Sequence, residues 1–169
     1  MIKKISSFVL VLSLAVAFGA GCNKNKSQDQ TDTGLENKGI FASIKDAFDK
    51  SIAVRCDYTD DDGGETITYI KNKRIYLESE PQGTADGKTV IIHGLVRDDK
   101  MYIWGDENDK GIIFDFTTIS GEPPKMGGKE IHGTQDIIDK LEEKKDKCKT
   151  ESIGDDKFEL PSKIEFVSF

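Results

Sequence analysis

Between residues 52 and 116 the chain is cut into six short apolar runs separated by turn signals, and that spacing leaves few folds open. The runs cover residues 52–58, 65–70, 74–79, 89–96, 101–105 and 111–116. In the second, Thr66 and Thr68 alternate with Ile67 and Tyr69, the period-two pattern of a strand with two unlike faces. The intervening segments carry residues that turn a chain: Thr59-Asp60-Asp61-Asp62-Gly63-Gly64, Lys71-Asn72-Lys73, Asp98-Asp99-Lys100, and Asp106 to Lys110. A longer loop spans 81–87. Connections this short join antiparallel neighbours, so the runs predict a meander with strand order following sequence order.

The flanks read differently. Ile40, Phe41, Ile44, Ala47 and Phe48 recur at helical intervals, with Lys45, Asp46, Asp49 and Lys50 facing outward. Residues 117–133 are rich in Gly and Pro and read as a long loop. Residues 134–147 predict a second helix, with Thr134 as N-cap, an apolar stripe of Ile137, Ile138 and Leu141, and Lys144, Lys145 and Lys147 near its C-terminal dipole. Residues 158–161 and 164–167 predict one or two closing edge strands. The whole predicts an α+β domain: a curved antiparallel meander sheet, an incomplete barrel, with two helices against its concave face.

The first residues carry an address. Lys3 and Lys4 precede an apolar run of about 14 residues, too short for a spanning helix of about 20. Phe18-Gly19-Ala20-Gly21-Cys22 follows, and it resembles the lipobox of bacterial lipoproteins, with Gly19 where that family usually has Leu. The resemblance implies that 1–21 are a signal peptide, cleaved before Cys22, and that Cys22 carries a diacylglyceryl thioether. Two or three acyl chains hold a protein stably, at about 0.8 kcal/mol per buried methylene. The alternative is an ordinary signal peptide and a released protein. Residues 22–38 are polar, cannot bury apolar surface and read as a disordered tether, leaving 39–169 as the domain. The expected location is exported, anchored to the cell membrane or outer membrane, with the domain in the periplasm or outside the cell.

Charge narrows the partners. Without Lys3 and Lys4, 22 basic residues face 31 acidic ones, a formal charge of −9 on the mature chain. That surface repels phosphate backbones, so nucleic acid is excluded, and it disfavours docking on anionic headgroups. Beyond Cys22 the chain has Cys56 and Cys148. In an oxidising compartment two cysteines pair naturally; two separate buried thiols are the alternative.

From residue 40 onward the order of elements resembles the lipoprotein-carrier half-barrel superfamily and small bacterial lipoproteins of that type. The motifs are Cys56-Asp57-Tyr58 opening the first strand, Tyr69-Ile70-Lys71-Asn72-Lys73 at a hairpin, Met101-Tyr102-Ile103-Trp104, and the strand from Gly111 to Phe114. The resemblance implies a concave face able to hold an acyl chain, with Tyr58, Tyr69, Leu77, Ile103, Phe114 and Phe116 as candidate lining residues. The plainer reading is that these side chains pack beneath the helices.

No motif points to catalysis, a cofactor or a metal. The acidic turns at Asp57, Asp60, Asp61, Asp62 and Glu65, and at Asp106, Glu107 and Asp109, lack calcium-loop spacing and read as solvated hairpin turns. His93 and His132 stand apart, without a nucleophile motif. The expectation is a non-enzymatic envelope lipoprotein that binds a lipid or other apolar ligand. The alternatives are an interaction module with a filled core, and a hydrolase.

Overall fold

The computed structural model describes residues 41–61, 63–80, 90–118 and 121–169. Cys22, the signal segment, the tether, Ile40, Asp62 and the 81–87 loop lie outside them. The fold is α+β, a large curved sheet that does not close, with two helices against its concave face. Helix α1 (Ile44–Asp49) is followed by strands β1 (Val54–Thr59), β2 (Glu65–Lys71), β3 (Arg74–Glu80), β4 (Ile92–Arg97), β5 (Lys100–Gly105) and β6 (Lys110–Asp115). After a small hairpin of β7 (Lys125–Met126) and β8 (Lys129–Glu130) come α2 (Thr134–Glu142), β9 (Cys148–Thr150) and β10 (Glu165–Ser168).

Strands β1 to β6 pair in sequence order, each antiparallel to the next. Two of their turns place adjacent residues at positive φ, Asn72 with Lys73 and Asp98 with Asp99. That geometry matches the right-handed twist of the flanking strands, and Asn and Asp tolerate it best. The sequence order breaks at both edges. Strand β9 adds to β1 antiparallel, and β10 adds to β6 in parallel, giving the order β10-β6-β5-β4-β3-β2-β1-β9.

That order forces the chain between β9 and β10 to cross the sheet. Eight strands span about 34 Å at about 4.8 Å each. The fourteen residues between β9 and β10 reach about 50 Å when extended. The slack allows one 3-10 turn, Asp155–Phe158, and little else. The crossing segment therefore acts as a strap over the face opposite the helices. There Ile153 and Phe158 pack on Tyr76, Leu95 and Trp104, with Leu160, Ile164 and Phe166 beside them. Phe158 is fully buried, and the Arg74 guanidinium lies 5.0 Å from its ring centre. Phe166 rests directly on the backbone of Gly111, where a Cβ would come within 2.6 Å of its ring.

The helix face has a separate core. Ile44 and Ala47 of α1 and Ile137, Ile138 and Leu141 of α2 meet a row of sheet residues that includes Val54, Ile70, Ile75, Val96 and Met101. Several expectations are corrected. Residues 158–161 form no strand, because Phe158 is drawn into the opposite core by the 3-10 turn. Thr134 is the first helical residue of α2, not its N-cap; extended Gly133 caps, with no side-chain bond. Helix α2 stops at Glu142 because Cys148 must lie flat against β1. Within the loop expected at 117–133, β7 and β8 pair.

Cys56 and Cys148 sit opposite one another in the β1–β9 register and are joined by a disulfide. The bridge closes a sequence separation of 92 residues, worth about 4 to 5 kcal/mol in the chain-entropy account. Replacing both cysteines by Ala should lower the urea-unfolding free energy by about 3 to 5 kcal/mol; an unchanged midpoint and slope would show that the bridge fastens nothing.

Candidate ligand pocket on the helix face

The two helices cover the sheet unevenly. Toward the β1–β2 turn the inward-facing side chains shrink. Thr66 and Ser79 pair across β2 and β3, and Gly94 of β4 pairs with Leu77, whose Cγ would lie 2.9 Å from a Cβ on Gly94. The result is a hollow of about 320 Å³. Leu77, Met101 and Ile103 form its floor, Met126 of the β7–β8 hairpin closes one side, and Tyr58 stands at the β1 wall. The volume lies at the lower end of small-molecule pockets.

The polar groups of the wall are already partnered. Tyr58 Oη and Thr68 Oγ1 are 3.2 Å apart, and Thr66 Oγ1 donates to Ser79 Oγ at 3.0 Å. Burial pushes the Tyr58 hydroxyl up from its usual value. No buried side-chain nitrogen or oxygen among the described residues lacks a partner. The inside of the hollow therefore offers apolar contact, and the charged groups lie at its rim.

At the rim, Asp61 of the β1–β2 turn accepts hydrogen bonds from Lys140 Nζ at 2.9 Å and Lys144 Nζ at 3.4 Å. Lys140 Nζ also lies 3.8 Å from Glu143. Lys125 completes the ring of lysines and pairs with Glu122 at 2.7 Å. The Lys140 hydrogen bond holds the Asp61 carboxyl below its usual range, and Asp61 in turn raises the Lys140 ammonium.

Of the six candidate lining residues, Tyr58, Leu77 and Ile103 line this hollow. Phe114 and Phe116 lie on the same face but pack against the core. Tyr69 does not join them. Thr68 and Ile70 take the helix face, so strand alternation sends Tyr69 to the opposite one, under the Arg55 guanidinium and the Lys157 ammonium. Met101, Met126, Lys140 and Lys144 were not foreseen as pocket residues. A Gly inside a strand marks close approach of something else, and at Gly94 that is the Leu77 side chain on the floor of the hollow.

The acidic turn disperses among separate partners. Asp57 pairs with Arg55 at 2.8 Å, Asp60 Oδ1 accepts from Gly64 N at 2.7 Å, and Asp61 faces the lysines. Among the described residues no group of His, Cys, Asp and Glu is arranged to hold a metal ion.

His93 borders the hollow, but its ring is engaged by Tyr76, Asp106 and Trp104; His132 is not among the lining residues. His93 Nε2 bonds Asp106 Oδ1 at 2.5 Å, and His93 Nδ1 bonds Tyr76 Oη at 2.7 Å. Tyr76 Oη donates to Glu78 Oε1 at 3.1 Å. Glu78 Oε1 also accepts a hydrogen bond from Lys157 Nζ at 2.8 Å. The order nucleophile–His–Asp is there, but the nucleophile position holds a tyrosine that is only 7% exposed. Burial, with the Glu78 charge behind it, pushes that hydroxyl far up, so it stays protonated. The ring of His93 stacks on Trp104 at 5.3 Å between centroids. This geometry positions an aromatic ladder. His132 is exposed and lies 3.6 Å from Glu130.

No protein-family model, curated protein or solved structure matches this chain. The pocket therefore rests on its own chemistry.

The rim contact has a defined pH signature. The Asp61 contribution to stability is present above its usual value of 3.8 and is lost as pH falls through the lowered folded value. The Lys140 contribution is present below 10.5 and is lost as pH rises through the raised folded value. The stability gap between the native protein and Asp61→Asn should stay level through neutral pH and close at both ends. Urea midpoints from about pH 2.5 to about pH 11 measure it; a gap constant over that whole range would mean the contact is not ionic.

Proposed function

We propose that this is an exported lipoprotein, held to a membrane by acyl chains on Cys22, whose domain binds a lipid or other apolar ligand without chemical turnover. The observation that carries the binding half is the hollow under α2 and the β7–β8 hairpin. Its floor of Leu77, Met101 and Ile103 is apolar, and the polar groups around it are satisfied without a ligand. The address half rests on the lipobox-like Gly19-Ala20-Gly21-Cys22 and on the acidic charge of the chain, which leaves acyl chains as the means of membrane contact.

A second reading has its own observation. The large hydrophobic residues exposed among those described are Ile92, Ile112, Val167 and Phe169. Ile112 and Val167 pair across β6 and β10, on the same side as the hollow. An interaction module would use that apolar edge to meet another envelope protein.

Fractionation separates the parts. The full chain should sediment with membranes, and Cys22→Ser should appear in the soluble exported fraction with its Cys56–Cys148 bridge intact. Retention of that variant on the membrane would overturn the address. Native mass spectrometry of the released variant should find copurified apolar molecules; a clean mass that takes up neither fatty acid nor phospholipid would favour the interaction module.

A further inference from the structure

We infer that the occupant of the hollow is a single-chain amphiphile with an anionic head, its chain over Leu77, Met101 and Ile103 and its head at the Lys140–Lys144 pair. This rests on the ligand-binding reading above and adds the chemical class. Three observations carry it.

The first is size. A cavity of about 150 Å³ holds benzene, so about 320 Å³ suits roughly a dozen carbons. That is one chain of medium length, not the two chains of an intact phospholipid.

The second is charge. The protein as a whole is acidic, with 31 acidic against 24 basic residues. The described lining of the hollow inverts this, with Lys125, Lys140 and Lys144 against Asp60 and Asp61. Asp60 is turned toward the backbone of Gly64 and the hydroxyl of Thr66. Two ammonium groups thus converge on the single carboxylate of Asp61.

The third is the difference in burial between those partners. The Lys140 side chain is 10% exposed, whereas that of Asp61 is 50% exposed and sits on a turn. The cation is committed to the rim and its anion is not. A carboxylate or phosphate entering with the chain can take the place of Asp61, and Asp61 can return to water at little cost. The lysines keep an anionic partner in both states, so neither is left buried and unpaired. The apolar floor contributes with each methylene it takes from water, while the rim decides which head is accepted.

The test uses the full chain carrying Cys22→Ser, purified without detergent and titrated calorimetrically with dodecanoate, dodecyl phosphate, 1-dodecanol and dodecyltrimethylammonium. At least one anionic probe should bind about tenfold or more tighter than the cationic one, and the stronger of the two identifies the head as carboxylate or phosphate. Lys144→Gln, alone and with Lys140→Gln, should weaken the anionic probe by a similar factor and leave dodecanol unchanged. Lys144→Gln alone keeps the test open should the double variant misfold. If dodecanol and the trimethylammonium probe bind as well as dodecanoate, the head assignment is wrong and the apolar pocket stands. Anionic selectivity that survives both lysine changes would also refute the assignment. If no probe binds, this inference and the ligand-binding reading fall together.

Discussion

Helix α2 and the strap, the C-terminal covers of the six-stranded meander, meet at the fastening of Cys148 to Cys56. A three-residue strand has little pairing energy of its own. The disulfide holds β9 on the edge of β1, and the chain reaches that edge from α2 and leaves it as the strap. The cover of the concave face and the cover of the convex face therefore share one anchor. Without it, α2 would lose its fixed C-terminal end and Phe158 its route into the second core.

The two faces are finished in different ways. On the strap side, Tyr69, Tyr76, Trp104 and Phe166 are spaced about 6 Å from ring to ring, and His93 is locked between Tyr76 and Asp106. Large side chains fill that space. On the helix side, Thr66, Ser79 and Gly94 are small where a core would carry bulk. Interiors are packed to crystal density because lost contacts cost stability. The hollow at the mouth of the helix-side core departs from that rule, and such departures gather at functional sites.

Most of the meander was legible in the sequence because hairpin turns and period-two alternation are local signals. Asn72-Lys73 and Asp98-Asp99 marked their turns correctly. What failed was nonlocal. The lysines from Lys144 to Lys147 favour a helix end, yet the disulfide and the β1 edge override that propensity and extend the chain at Cys148. Phe158 has strand propensity, but the strap needs a turn there to deliver its ring. Tyr69 was assigned to the wrong face, though its neighbours Thr68 and Ile70 fix the alternation. Buried neighbours in a row, such as Ile75-Tyr76-Leu77, carried the clue that both faces of the sheet are covered. Lys144 reads as a dipole partner of α2, and only the turn at Asp61, distant in sequence, turns it and Lys140 into a rim.

The central claim is that the hollow beneath Gly94 is a site for a ligand and not a gap left by loose packing. A crystal structure of the protein purified from membranes, with nothing added to displace an occupant, tests it most directly. The account predicts continuous density along Leu77, Gly94 and Ile103, ending near Lys140 Nζ. A hollow collapsed onto Met126 and Ile103, with no density between them, would contradict it.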